Sequence, residues 1–196
     1  MDKTIPYFGA IDLAAPYRYY EADYLYEVGG RFDEIDLSLA LHTTDVDEHG
    51  ATMRLPVRDL DPAVLDRVAQ FAGDMDRHIE RTRAAVSADF HTGGVVRTGY
   101  IAYLQARLPP GWLEHVIYRT DGSLPVDERM LLALELSHIT LYPLPDPSDP
   151  PFAVFAFTIG DDVTGAVVAA RLRQDGTIRS IGVIPEPDSP ACAGTQ

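Results

Sequence analysis

The stretch Tyr17-Arg18-Tyr19-Tyr20-Glu21-Ala22-Asp23-Tyr24-Leu25-Tyr26-Glu27-Val28-Gly29-Gly30-Arg31-Phe32-Asp33-Glu34-Ile35-Asp36-Leu37-Ser38-Leu39-Ala40-Leu41 decides how this chain folds. Residues Tyr20, Ala22, Tyr24, Tyr26 and Val28 fall on one side of a period-two pattern, while Glu21, Asp23 and Glu27 fall on the other. Such alternation marks a half-buried strand. Gly29-Gly30 suits a two-residue hairpin turn, because both residues tolerate positive φ. The return strand, Arg31 to Leu41, sets Ile35, Leu37, Leu39 and Leu41 on one face. With a two-residue loop, Tyr24 lies opposite Ile35, Ala22 opposite Leu37 and Tyr20 opposite Leu39. Apolar meets apolar throughout, and a slip of one residue would destroy the match. The same register gathers Glu21, Asp23, Glu27, Glu34 and Asp36 on the outer face and puts Asp23 directly opposite Asp36. Like charges so placed destabilise a sheet. Three readings compete: a solvated face relieved by an arginine such as Arg18, a cation site, and a docking face for a basic protein. Complementary charge would speed association in the third.

Working outward, Tyr7 to Leu13 reads as an earlier strand joining this sheet. Thr44 to Gly50 reads as a polar loop into a short strand at Ala51 to Leu55, whose free edge offers pairing to a second chain. The middle is helical. Asp61-Pro62 combines a capping side chain with a proline suited to the first turn. The apolar stripe Val64, Leu65, Val68, Ala69, Ala72, Met75 and Ile79 predicts a helix running to about Phe90, bent near Gly73 and closed by Gly93-Gly94. Further helices are expected over Val96 to Arg107, Trp112 to Tyr118 and after Pro125. Strands return at Ile139 to Tyr142. Residues 143–151 hold five prolines in nine positions and read as an extended connector. Phe152 to Ile159 is apolar on both faces, as in a central strand. Gly165 to Arg173 and Thr177 to Ile184 flank Asp175-Gly176, a strong hairpin signal, and Val168 then faces Val183 and Ala170 faces Ile181. Strands, helices, then strands again describe an α+β domain, residues 1–184, with a mainly antiparallel sheet; residues 185–196 read as a disordered tail.

Composition bounds the function. The chain has 196 residues, 30 acidic and 16 basic, for a formal charge of −14. One domain of this size buries about two-thirds of its unfolded surface and needs no covalent staple. Its charge repels nucleic acid and anionic lipid, so neither is an expected partner, whereas a basic protein is. No apolar run approaches a membrane span, the N-terminus has no apolar signal core, and Cys192 is the single cysteine. A cytoplasmic protein, monomer or homodimer, is expected.

Chemistry-bearing motifs are scarce. No phosphate loop with a following Lys, no His-Glu-x-x-His and no Gly-x-Ser-x-Gly occurs. The best metal-like set is His42, Asp45, Asp47 and His49, with Glu48 between. Hard oxygens and imidazoles of this kind take divalent metals and would make the chain a metal-dependent hydrolase. Asp45-x-Asp47 with Gly50 resembles a calcium loop, but Pro56 stands where that loop needs glutamate. His78, His91, His115 and His138 are isolated and read as structural. No catalytic residue and no cofactor are expected, so an enzyme is the runner-up reading.

Three stretches resemble a bacterial family of domains of unknown function. They are Tyr7-Phe8-Gly9-Ala10-Ile11-Asp12-Leu13, Ile35-Asp36-Leu37-Ser38-Leu39, and Ala153 to Thr164 with the hairpin around Asp175-Gly176. The resemblance implies a small cytoplasmic α+β protein, similar in style to immunity proteins that neutralise toxins, and supplies no catalytic residue. The expectation is a non-enzymatic protein-binding module that uses its acidic sheet face.

Overall fold

The computed structural model describes residues 2–12, 18–28, 31–46, 52–55, 57, 60–144, 151–160 and 163–185. The fold is α+β, with a helical middle between two strand-rich segments. Six strands form the main sheet in the order β10-β9-β8-β7-β4-β3. They are β3 (Arg18–Val28), β4 (Arg31–Leu41), β7 (Glu135–Leu141), β8 (Ala153–Thr158), β9 (Val167–Leu172) and β10 (Ile178–Ile184). Every pairing is antiparallel except β4 with β7, which run parallel with Leu37 beside Ile139. A parallel pair needs a crossover, and the helices between residues 62 and 132 supply it.

The β3–β4 register is the one the alternation demands. Tyr24 pairs with Ile35, Ala22 with Leu37 and Tyr20 with Leu39. Ile35, Leu37 and Leu39 are buried, in one core with the helix side chains Leu65, Val68, Met75, Ile79, Val86 and Phe90. Tyr24 and Tyr26 are buried, Tyr20 packs at the core's margin, and Tyr19 is exposed on the other face. Strand β8 lies between β7 and β9, as its two apolar faces imply. In β9–β10, Val168 pairs with Val183 and Ala170 with Ile181.

Five elements depart from the sequence reading. Tyr7 to Leu13 was expected in the main sheet; instead β2 (Gly9–Asp12) pairs with β1 (Asp2–Ile5) in a two-stranded sheet of its own. Its buried Ile5 and Ile11 join the core, and Lys3 pairs with Asp66, so side chains hold it in place. The loop expected from Thr44 to Gly50 gives way at its start to a strand, β5 (Thr43–Val46), that pairs with β6 (Thr52–Leu55), while residues 47–50 lie outside the described residues. One edge of β6 is therefore taken within the chain. The long helix is two helices, α1 (Pro62–Gly73) and α2 (Met75–His91), divided at Asp74. Asp61 caps α1, its Oδ1 accepting the Ala63 N–H at 2.9 Å. Residues Val96–Ile101 make a π-helical turn before α3 (Ala102–Arg107). That turn carries the fully buried Tyr100, whose hydroxyl accepts the Ile159 N–H at 3.3 Å. Helices α4 (Pro110–Ile117) and α5 (Val126–Leu132) follow. Finally, the turn after β9 is a three-residue loop: the Gly176 N–H reaches the Arg173 carbonyl and the Arg173 N–H the Thr177 carbonyl. Gly176, at φ +72°, takes the left-handed position such a loop needs. A register shift between Ile178 and Ser180 then restores the expected pairing.

Among the described residues no helix is long and apolar enough to cross a membrane.

Candidate functional site

Strand parity builds the site. Because inward residues of β3 and β4 meet the core, every second residue must face away from it. Glu21, Asp23, Glu27, Glu34 and Asp36 are all exposed there. Asp23 stands opposite Asp36, as the register requires. The structure thus brings together all five predicted carboxylates.

The same parity places two large apolar side chains among them. Leu25 is paired with Glu34 and Phe32 with Glu27. They are 62% and 68% exposed. They are diagonal neighbours on one face, close enough for large side chains to share a contact surface. At the end of the strip nearer the chain's Arg18, the Tyr19 hydroxyl donates to Ser38 Oγ at 2.9 Å, and Ser38 and Ala40 are buried on that face. Along the neighbouring strand, His138 pairs with Asp36. Its Nδ1 lies 4.0 Å from Asp36 Oδ2. Among the described residues, Glu21, Asp23, Glu27 and Glu34 have no ion pair or hydrogen bond to another side chain. Strand β3 is an edge of the sheet, so its outer row of backbone groups borders the acidic strip.

The inner side of the same hairpin is closed by contrast. The Tyr24 hydroxyl donates to Asp76 on α2, and Tyr7 meets the Tyr24 ring edge-on with centroids 4.9 Å apart. Burial and the Asp76 carboxylate push the Tyr24 hydroxyl far above its ordinary value. Arg83 of α2 covers the Tyr26 ring and lies 3.6 Å from Asp33. These contacts tie the hairpin to α2, and a strand pair anchored in this way is a suitable platform for a binding surface.

The metal-like set fares differently. His42 follows β4 and is half-buried, and Asp45 belongs to β5, opposite Met53. Asp47, Glu48 and His49 lie outside the described residues. Among the described residues no group of three His, Cys, Asp or Glu side chains could hold a metal ion.

Sequence reading missed Leu25, Phe32 and His138 as members of the acidic face. For Leu25 and Phe32 the signal was present, since both share the parity of the carboxylates. His138 carried none, because its place depends on the parallel pairing of strands about a hundred residues apart in the chain.

No protein-family model, no curated protein and no solved structure matches the chain.

Proposed function

We propose that this chain is a non-enzymatic binding module whose open β3–β4 face takes a basic polypeptide bearing an apolar anchor. The observation that carries the reading is Leu25 and Phe32, two well-exposed apolar side chains on one face with five exposed carboxylates, on a strand pair tied to α2. Apolar area supplies the burial, and the carboxylates select a cationic partner and speed its approach. A second copy of the chain does not fit this face. A two-fold interface would set the same patch against itself and so oppose like charges.

The test is recovery of tagged protein from its own host, with native mass spectrometry naming any bound polypeptide. The expected result is a basic partner that binds wild type and is lost from the Asp23→Lys/Asp36→Lys variant, while the variant keeps the wild-type circular dichroism. Added salt should slow association, because exposed charges are screened within about 10 Å at 0.1 M. A partner that binds the double variant as well as wild type removes this face from consideration.

A further inference from the structure

A second surface has the opposite electrostatic character. Arg67, Phe71, Asp74 and His78 recur at three- and four-residue steps, so they form one stripe across the α1–α2 junction. The turn between β9 and β10 brings Arg173 and Asp175 up to that stripe. Together they line a cleft of about 450 Å³, a size common for small-molecule sites.

His78 forms its inner wall. The residue is only 5% exposed, and its ring stacks on Phe71 with centroids 4.0 Å apart. On the other side it presses against the turn so closely that any Cβ at Gly176 would collide with it. Arg81 ties the same turn to α2, its Nη1 donating to the Gly176 carbonyl at 2.7 Å. Nδ1 of His78 is buried and has no hydrogen-bond partner among the described residues. That atom lies on the ring edge pressed against Gly176, so the ring's other edge is the one left for the cleft.

The charged groups around the ring come from every element packed on it. Arg67 belongs to α1; Asp74, Arg77 and Arg81 to the junction and α2; Arg173 and Asp175 to the hairpin turn. Four guanidinium groups therefore face two carboxylates, on a chain whose formal charge is −14. Asp175 is already engaged, accepting the Thr177 N–H at 2.9 Å and its hydroxyl at 2.6 Å. The Arg67 and Arg173 side chains make no hydrogen bond or ion pair among the described residues, although, after the Thr177 hydrogen bonds, the Arg173 charge helps hold the Asp175 carboxyl below its ordinary value. Guanidinium forks match the oxygens of carboxylate and phosphate, and the flat, stiff ring of His78 adds a donor or an acceptor.

We infer that this cleft is a binding site for a small oxyanion, a phosphate or carboxylate group gripped by Arg67 and Arg173 with the His78 ring beneath it. The site lies on the hairpin at the far edge of the sheet from β3, so it goes beyond the binding module proposed above and does not depend on it. A bound anion would favour protonation of His78, against the burial that lowers its pKa.

The experiment is a titration of the full chain with inorganic phosphate and, separately, with succinate, followed through the ring nitrogens of His78 by NMR and through the thermal midpoint. The expected result is a saturable shift of the His78 ring signals and a raised midpoint with at least one of the two anions. A response to phosphate alone assigns a tetrahedral group, one to succinate alone assigns a carboxylate, and one to both supports the shared chemistry. Arg67→Gln/Arg173→Gln, two changes at the cleft rim, should weaken binding roughly tenfold or more while circular dichroism stays unchanged. Asp23→Lys/Asp36→Lys should bind the anion as wild type does, which separates this site from the acidic face. The inference is overturned if neither anion moves His78 at concentrations on the order of 10 mM. It is equally overturned if the arginine variant responds as wild type does.

Discussion

The β3–β4 hairpin pairs eleven residues of each strand without a break, whereas β9–β10 shifts register between Ile178 and Ser180. Both hairpins end the same sheet, and both were marked by turn residues and alternation. They differ in what reaches them from the helices. Residues of β3–β4 that face away from the core carry carboxylates around the exposed Leu25 and Phe32, and the same face is buried further along, at Ser38 and Ala40. At β9–β10 it is the turn that is held, fastened by Arg81 and capped by the His78 ring. One motif thus yields a broad charged surface at one edge and a small open cleft at the other. The environment that the helices impose makes the difference.

The largest effect should come from setting the two faces of β4 against each other. Leu39→Ala removes a fully buried side chain and should cost about 2–5 kcal/mol in urea unfolding. Phe32→Ala, on the outer face of the same strand, should stay within about 0.5 kcal/mol. Comparable losses at both positions would mean that the outer face is covered, and would end its role as an open docking surface.

The cleft offers an effect that depends on pH. Burial holds the His78 pKa below its ordinary 6.5, with Arg77 and Arg81 acting in the same direction and Asp74 opposing them. The unfolded chain therefore takes up a proton at higher pH than the folded chain does. Stability present in full above pH 6.5 is lost as pH falls through the lowered value. Wild type should accordingly lose more stability than His78→Gln between pH 7 and pH 5. Parallel pH profiles for the two proteins would show that the ring is not desolvated as the structure has it.

The smallest effect belongs to the acidic strip. Asp23→Asn relieves the pair with Asp36 and should raise stability by about 0.5 kcal/mol or less at low salt, a gain that high salt abolishes. No gain at low salt would indicate that His138, 4.0 Å from Asp36, already relieves the pair.

Much of this architecture was legible residue by residue. Period-two alternation and the Gly29-Gly30 turn settle which of Tyr24, Ile35 and Leu37 point inward, because strand geometry allows a side chain only two directions. The gathering of Glu21, Asp23, Glu27, Glu34 and Asp36 follows from that alone. The stripe from Val64 to Ile79 announces a helix for a similar reason, since its spacing repeats within a few residues.

Other features had no local signal. The π-helical turn at Val96–Ile101 and the separate β1–β2 sheet arise where packing overrides chain propensity, whereas the division at Asp74 falls beside the bend that Gly73 announced. Tyr100 must reach Ile159, and Ile5 with Ile11 must reach the core. The parallel pairing of β4 with β7 brings His138 to Asp36 across the whole helical segment. The cleft at His78 joins the α1–α2 junction to a turn 95 residues further along the chain, as the Arg81–Gly176 bond shows. The sequence by itself determined the fold class, the β3–β4 register and the acidic face, because those depend on neighbours along the strand and on how strands alternate. Only the tertiary structure decided that β9–β10 would close over a buried histidine, because desolvation and the company of four arginines exist only once distant segments pack together.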